Sequence, residues 1–342
     1  MFFDNLGLEW AIIIFIISAV VIAIAGTRLA KTADQLADLT GMGEAIFGAV
    51  FLGGVTSLPG IVTSVTAAIN NHPELAISNA IGGIAAQTVF LSIADISYTK
   101  ANLEHAAASF ANLMQGVLLI LLLSFIIFLT TGPDISFWGI HPGSIILLVA
   151  YIAGTKLISK AKKTPMWNPT KTKFTIKDEP DKENEKLSLK KSIIIFVVLA
   201  IVVAAAGYSV AKTGIIISEN TGLSETLVGS LFTAVATSLP ELIVSIAGVR
   251  QGAVTLAVAN IIGGNTFDML FVAFSDFAYL EGSIYHSLSD DQDFIISMTI
   301  IMTSVTLLGL LHRQQKGPAK IGWESILVLI IFVLGYLYLF FD

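Results

Sequence analysis

The sequence has no cysteine and few charged residues. Without cysteine there is no disulfide framework, and cysteine usage gives no information about the redox compartment. Charged residues make up 13% of the 342 residues and hydrophobic residues 55%, with a mean hydropathy of +0.82. This composition excludes a soluble globular domain and indicates a protein that crosses a membrane several times. The net charge of −6 says little about partners, because the charges are unevenly distributed along the chain.

The sequence also lacks the short motifs of enzymes that work inside membranes. It contains neither H-E-x-x-H nor G-x-S-G. Its five histidines fall in or beside predicted loops without metal-site spacing, and we expect them to be solvated. We therefore expect neither an enzyme nor a cofactor, and no nucleic-acid partner. No basic segment precedes the first apolar run, so that run is predicted to be a retained span rather than a cleaved signal.

A repeat with an offset of 181 residues relates the two halves of the chain. The string Thr-Ser-Leu-Pro occurs at 56–59 and again at 237–240. The same offset, without a gap between residues 26 and 105, relates many further identical pairs. Among them are Gly26 and Gly207, Ser64 and Ser245, Asn79 and Asn260, Asp95 and Asp276, and His105 and His286. Agreement over such a stretch indicates an internal duplication.

Ten apolar segments are long enough to cross a bilayer, for which a helix needs about 20 residues. They are 8–27, 42–69, 74–97, 107–130, 143–160, 191–213, 224–249, 254–279, 292–311 and 321–341. Five lie in a first repeat (1–160) and five in a second (191–342), on either side of a lysine-rich linker (161–190). Since each repeat has an odd number of spans, the second enters the membrane upside down. The predicted fold is an all-α polytopic membrane protein with ten transmembrane helices in two inverted-topology five-helix repeats.

Basic residues predict the orientation of these spans. If the linker 161–190 is cytoplasmic, 18 of the 19 lysines and arginines (19 − 1) face the cytoplasm and only Lys212 lies outside. Both termini then face the exterior or periplasm. The short linker and the lack of appended domains favour the plasma (inner) membrane of a prokaryote, with the lipid bilayer as the surrounding partner.

Polar residues inside the predicted spans mark a candidate site. Pro59 and Pro240 lie near the middles of the second and seventh spans, where each should kink its helix. Hydroxyl side chains flank both prolines: Thr56, Ser57, Thr237 and Ser238. Hydroxyl and carbonyl oxygens are hard ligands that suit Na⁺, Ca²⁺ or Mg²⁺. The alternative is a purely structural kink in which these hydroxyls bond back to the helix.

Two carboxylates lie deep in apolar sequence. Glu241 directly follows Pro240, where an ionised carboxylate costs at least about 2.5–3.5 kcal/mol on insertion scales. Asp268 lies in the eighth span, and Asn265, three residues earlier, shares its helix face. The offset of 181 places Gln87 of the third span at the position equivalent to Asp268. Buried ionisable groups of this kind are candidates for a transport site.

The two repeats resemble the alpha repeats of the cation/calcium exchanger superfamily, which includes the sodium/calcium exchangers. In that family each repeat carries G-T-S-L-P-E on one helix and G-N-x-x-G-S-N on the next. The second repeat here reads ATSLPEL at 236–242 and ANIIGGNTFD at 259–268. The first reads VTSLPGI at 55–61 and SNAIGGIAAQ at 78–87. The resemblance covers nearly the whole chain.

The resemblance implies a secondary cation antiporter with its site at mid-membrane, between spans 2, 3, 7 and 8. It implies Glu241 and Asp268 as the carboxylate ligands and Gln87 as the polar group of the third span. The remaining oxygens would come from hydroxyl groups and nearby backbone carbonyls, at Thr56, Thr237, Ser238, Gly53 and Ala234. From their positions, Ser57 and Asn265 join this set. Cations are then substrates and partners rather than cofactors, and a monomer is compatible with this interpretation.

The first repeat departs from the family pattern. Gly60 stands where the family has a glutamate, and Gly83 and Gly264 replace the serine of each second motif. Glu241 and Asp268 can still neutralise one divalent ion, so Na⁺/Ca²⁺ exchange by alternating access is the leading hypothesis. The alternatives are a monovalent or proton-coupled exchanger of the Na⁺/H⁺ type, and a channel-like or sensor-like paralogue that no longer transports.

Overall fold

The structure is a computed structural model that describes residues 3, 6–40, 53–98, 101–170, 172, 188–317 and 321–341. Helices dominate these residues, and the described ranges contain no sheet, only one isolated bridge between Phe137 and Ile140. The predicted all-α class is therefore confirmed. Most of the linker 161–190 lies outside the described residues.

The described helices lie on either side of the linker. Those before the linker are α1 (Leu8–Val21), α2 (Thr27–Thr40), α3 (Leu58–Ile69), α4 (Pro73–Ser97), α5 (Leu103–Ala107), α6 (Phe110–Thr130) and α7 (Pro142–Lys163). Those after it are α8 (Leu189–Thr221), α9 (Glu225–Leu227), α10 (Ala234–Thr237), α11 (Leu239–Gln251), α12 (Val254–Ala278), α13 (Asp290–His312) and α14 (Trp323–Phe341). Wider π-helical turns join α1 to α2 at Ile22–Gly26 and α9 to α10 at Val228–Thr233.

Eight helices in the described part of the chain are long and apolar enough to span a membrane, or nine if the bent pair Glu225–Thr237 and Leu239–Gln251 counts as one span. The predicted segment 42–69 lies partly outside the described residues, and α3 covers its second half. The first helix continues to Ala37 as a candidate span, ten residues beyond the predicted end at 27. The extra turns are polar, so a search for apolar residues alone does not find them.

The proline kink predicted in the seventh span is confirmed. The two parts of this span meet at Ser238 with a bend of 48°. Pro240 lies in the first turn of α11, where its missing N–H leaves no hydrogen bond unmade. Pro59 has the same position at the start of α3. Both breaks place the first turn of a helix among buried residues.

The helices divide into a buried centre and an outer pair. In the most apolar stretches of α4 and α12, 94% and 72% of the residues are buried inside the protein. For the first helix and α8 the figure is 22% each, and they expose isoleucines such as Ile16 and Ile201. This pattern fits helices that face lipid on one side.

Two glycines let the outer helices approach the kinked spans. A Cβ on Gly26 would meet the ring of Pro240, and a Cβ on Gly207 would lie 2.7 Å from the carbonyl oxygen of Pro59. Thr63 Oγ1 adds a hydrogen bond of 2.9 Å to the carbonyl of Gly207. By the offset of 181, Gly26 corresponds to Gly207 and Pro240 to Pro59. Each contact is therefore the counterpart of the other, with the two halves exchanged.

Two buried aspartates, Asp95 and Asp276, each join two segments of the chain at one corner of the bundle. The carboxylate of Asp95 accepts two backbone N–H hydrogen bonds, one from the loop that follows α4 and one from the start of α14. Asp276 does the same with the loop after α12 and the start of α7. The donors are Leu103 and Gly322 for Asp95, and Ile284 and His141 for Asp276. Each donor again maps onto its counterpart by the offset of 181.

Replacing Gly207 by alanine should destabilise the packing of α8 against α3. The new methyl group would press on the backbone of Pro59, which cannot rotate away, so the helices must separate. We expect a loss of about 1–3 kcal/mol in the free energy of unfolding, measured as a lower midpoint of thermal unfolding in detergent. Gly7→Ala is the matched control, because a Cβ at Gly7 meets nothing within 4 Å. Equal midpoints for the two variants would contradict the tight contact.

Candidate cation site

A small cavity lies at the meeting point of α3, α4, α11 and α12. Its volume is about 10 Å³, which is room for about one water molecule or one ion. Six of the ten residues predicted from the sequence line it: Ser57, Gln87, Thr237, Ser238, Glu241 and Asp268. Four further residues complete the wall: Gly60, Asn79, Gly83 and Phe271. The lining combines two carboxylates, neutral oxygens and one aromatic ring.

Asp268 is the centre of a polar network. Its carboxylate accepts hydrogen bonds from Ser57 Oγ at 2.5 Å and from Gln87 Nε2 at 2.7 Å. Gln87 Nε2 also lies 3.3 Å from Ser238 Oγ, to which it donates. Gln87 and Asp268 are equivalent positions of the two repeats, as are Ser57 and Ser238. The network therefore joins equivalent residues directly across the junction of the halves.

Two buried oxygens at the cavity have no hydrogen-bond partner. They are Oε2 of Glu241 and Oε1 of Gln87. Only 4% of Glu241 is exposed and 2% of Gln87. A buried oxygen without a partner costs about 1–3 kcal/mol, and more if it is charged. An atom with positive charge beside both oxygens would remove this cost, so the donor set fits a hard cation such as Na⁺ or Ca²⁺.

Phe271 occupies the side of the cavity where the first repeat lacks its glutamate. A Cβ on Gly60 would lie 2.6 Å from Cε2 of the Phe271 ring. The ring therefore covers the position from which a glutamate at 60 would reach into the cavity. Because residue 60 is a glycine, Glu241 has no carboxylate at the equivalent position of the first repeat, and both carboxylates in the cavity wall come from the second repeat.

Asn79 holds the kinked part of α3 in place. Its Nδ2 donates to the carbonyl of Gly60 at 3.2 Å and to Ser64 Oγ at 2.9 Å. Its Oδ1 accepts a hydrogen bond from Thr233 Oγ1 at 2.7 Å. The Nδ2 and the Oδ1 of this buried amide thus both have partners within the protein. In the sequence, this residue is recognisable as an amide in the middle of an apolar span.

Gly53 and Ala234 lie beside the cavity rather than in its wall. The carbonyl of Gly53 accepts the N–H of Ser57 at 2.9 Å, and the carbonyl of Ala234 accepts the N–H of Ser238 at 3.1 Å. Thr56 Oγ1 bonds back to the Gly53 carbonyl at 3.1 Å and also stays outside the wall. In this conformation both carbonyls keep their helical hydrogen bonds.

Asn265 lies one turn away from the cavity, between α12 and α4. Its Nδ2 donates to the carbonyl of Ile84 at 3.4 Å and to Thr88 Oγ1 at 3.3 Å. Its Oδ1 is buried and has no partner. Ile84 is the position equivalent to Asn265, so this contact also joins matching residues of the two repeats.

No three or more histidine, cysteine, aspartate or glutamate side chains converge within the described ranges in a way that could hold a metal ion. An ion in the cavity would therefore be held by two carboxylates and neutral oxygens. The cavity wall contains no histidine. However, the prediction that all five histidines are solvated is wrong for His141, which is 5% exposed and packs against Tyr285 with ring centroids 5.1 Å apart.

The family model for the sodium/calcium exchanger protein matches residues 10–158 and 191–341, which is most of the chain. The chain belongs to this family. It is accordingly a transporter rather than an enzyme, and a multi-pass membrane protein. Each matched segment includes one TSLP string, and together the two segments include all the residues of the cavity wall.

Similar proteins carry related names. The chain is 26% identical to the "Putative antiporter CaxA" of Alkalimonas amylolytica over 339 residues, which cover 96% of this chain and 98% of that protein. It is 29% identical to the "Sodium/calcium exchanger MaX1" of Methanosarcina acetivorans over 142 residues. That match covers 42% of this chain and only 38% of the relative.

Two solved structures share the fold. The H⁺/Ca²⁺ exchanger CAX superposes with a TM-score of 0.71 at 14% identity, covering 97% of this chain and 82% of that one. A structure of the sodium-calcium exchanger NCX_Mj gives a TM-score of 0.58 at 19% identity, covering 96% and 98%. At these identities the likeness establishes a common fold, and the ions must be argued from the cavity.

Proposed function

We propose that the protein is a secondary active antiporter that exchanges Na⁺ for Ca²⁺ by alternating access at the cavity between α3, α4, α11 and α12. The observation that carries the proposal is the pair of buried carboxylates, Glu241 and Asp268, with the unpartnered oxygens of Glu241 and Gln87 in the same cavity. Membership of the sodium/calcium exchanger family supports cation antiport independently of this geometry.

Coupling follows from competition for the same oxygens. Two carboxylates neutralise one Ca²⁺, and Na⁺ ions bound to the same carboxylates would also neutralise them. An empty site would leave uncompensated charge in the apolar interior, which opposes the movement of the unloaded protein. The protein therefore switches the side on which the site opens more readily with an ion bound than with the site empty. Exchange requires this difference.

The outer helices suit the movement. The first helix and α8 bury few residues and touch the kinked spans through the small surfaces of Gly26 and Gly207. Their long apolar faces carry no charge that would resist sliding in lipid. We infer that they slide or rock against the core formed by α3, α4, α11 and α12.

We further infer ten spans in two inverted repeats, a cytoplasmic linker at 161–190, and both termini outside, in the plasma (inner) membrane. The exchanged contacts support the repeat: a contact between residues i and j recurs between j − 181 and i + 181 in the glycine–proline, aspartate and cavity networks. A two-fold relation between halves with an odd number of spans inverts one of them.

A second candidate function has one observation in its favour. Phe271 covers Gly60, so only Glu241 and Asp268 supply charge to the cavity. A site of this kind could bind monovalent cations and protons in turn. We therefore keep monovalent or Na⁺/H⁺ exchange as the alternative to Na⁺/Ca²⁺ exchange.

Glu241→Gln should abolish coupled exchange, because the amide removes the charge that a cation would meet. The measurement is Ca²⁺ uptake into proteoliposomes loaded with Na⁺ and diluted into Na⁺-free buffer. We expect wild-type uptake that requires the Na⁺ gradient, and uptake in the variant no greater than in liposomes without protein. Glu219→Gln, an exposed glutamate at the end of α8, is the matched control and should transport normally. Unchanged transport in Glu241→Gln would refute the assigned site, whereas no Ca²⁺ uptake by folded wild-type protein would favour monovalent exchange.

A glutamate at position 60 should increase Ca²⁺ affinity only when the ring of Phe271 is removed. Gly60→Glu alone forces the side chain into that ring, and we expect a lower midpoint of thermal unfolding. In Gly60→Glu/Phe271→Ala the carboxylate can reach the cavity, and the apparent Ca²⁺ affinity should rise by about tenfold over Phe271→Ala, or about 1.4 kcal/mol. Equal Ca²⁺ affinities of Phe271→Ala and the double variant would show that Gly60 does not mark a lost ligand position.

The absence of cysteine makes the orientation directly testable. In the proposed topology Glu281 lies outside, and Gln315 lies in a cytoplasmic loop; both residues are exposed. A membrane-impermeant maleimide added to intact cells should label Glu281→Cys and leave Gln315→Cys unlabelled until the membrane is opened. The reverse pattern would invert the topology, and labelling of both positions would contradict an odd number of spans between them.

A further inference from the structure

Three buried carboxylates meet at one corner of the bundle, away from the cation cavity. Asp95 lies in the last turn of α4, Glu104 in the short helix α5, and Glu324 in the first turn of α14. Their exposed fractions are 0%, 4% and 1%. Burial of this degree is rare for acidic residues and demands a partner for each oxygen.

Only part of this demand is met by the protein. Both oxygens of Asp95 accept the backbone N–H groups described above. Oε1 of Glu104 accepts a hydrogen bond from Ser325 Oγ at 3.3 Å. Oε2 of Glu104 and both oxygens of Glu324 have no partner. Among the residues that the structure describes, no basic side chain forms an ion pair with either glutamate.

Unpartnered oxygens of both glutamates lie beside Gly322. A Cβ on Gly322 would lie 2.5 Å from Oε1 of Glu324 and 3.2 Å from Oε2 of Glu104. The two oxygens are therefore at most 5.7 Å apart, since 2.5 + 3.2 = 5.7. The stem of Glu324 packs against Gly309 of α13, where a Cβ would lie 2.8 Å from its Cδ. The glutamate is thus enclosed on this side by glycine backbone.

The equivalent corner at the other end of the repeat shows that the fold does not require these acids. The offset of 181 maps Glu104 onto Tyr285 and Glu324 onto Gly143. There Tyr285 OH and Ser144 Oγ lie 2.7 Å apart and form a neutral hydrogen bond beside Asp276. A corner of the same design closes without a pair of glutamates, so the pair has a role that packing does not explain.

A proton is the ligand that fits two facing carboxylates. A shared proton turns one group into a donor and satisfies the oxygen of the other. Although three carboxylates meet here, no group of acidic or histidine side chains in the described part of the chain has an arrangement that could hold a metal ion. Burial raises the pKa of Glu104 well above its usual range, and the neighbouring charges of Asp95 and Glu324 raise it further. The other titratable group facing the pair is His312 at the end of α13.

We propose that Glu104 and Glu324 bind one proton between them and form a proton site, separate from the cation cavity, that holds α5 against the start of α14. With the proton bound, the two carboxyl groups share a hydrogen bond. Without it, two like charges face each other in a buried contact, and the corner opens. The corner's contribution to stability is complete in the acid range and is lost as pH rises through the raised pKa.

The test compares the pH dependence of thermal unfolding in detergent for the wild type and Glu324→Gln. The glutamine amide is neutral and can donate to Oε2 of Glu104, so it imitates the proton-bound pair. We expect the wild-type midpoint to fall as pH rises through the raised pKa of Glu104, and the variant to lose most of this fall. Glu281→Gln, an exposed glutamate, is the matched control and should keep the wild-type profile. A profile unchanged in Glu324→Gln would overturn the proposal.

Infrared spectroscopy detects the proton directly. The difference spectrum between the wild type and Glu104→Gln/Glu324→Gln should contain the carbonyl band of a protonated carboxyl group at pH values below the raised pKa of Glu104, and the band should disappear on alkalinisation. Its absence would contradict a shared proton. Stabilisation of the wild type by added K⁺ or Ca²⁺ that is lost in this double variant would identify a cation, rather than a proton, as the ligand and would also overturn the proposal.

Discussion

The structure depends on the burial of Asp268 and Glu241 in an apolar helical bundle. Nearly every feature around the cavity compensates for this burial. Ser57 and Gln87 donate hydrogen bonds to Asp268, and the break at Ser238 places Glu241 in the first turn of α11, where the helix dipole favours a negative charge. What the protein leaves uncompensated, at Oε2 of Glu241 and Oε1 of Gln87, is what makes the cavity suited to a positive ion.

The hydrogen bonds around the cavity follow the repeat in the sequence. Gln87 touches Asp268 and Ile84 touches Asn265, and each pair consists of equivalent residues. One half has kept the carboxylate at such a position and the other has an amide, so a hydrogen bond forms where two acids would repel each other.

The sequence was sufficient for the helical class, the kink at Pro240 and six of the residues in the cavity wall, because these follow from apolar length, proline chemistry and the offset of 181. It did not predict Phe271, which is one of many apolar residues in its span. Its role depends on the neighbour across the helix interface, Gly60, and such a neighbour is decided by tertiary packing. The carbonyls of Gly53 and Ala234 were likewise expected as ligands, but local helix geometry keeps their hydrogen bonds intact.

The two glycine–proline contacts also constrain how such a sequence can diverge. Gly26 faces the ring of Pro240, and Gly207 faces the backbone of Pro59, each partner being in the other half of the chain. A larger residue at either glycine is compatible with the fold only if the opposing helix shifts as well. Whether a substitution in one repeat is tolerated therefore depends on the residue that it contacts in the other repeat. The two repeats cannot diverge independently at these positions.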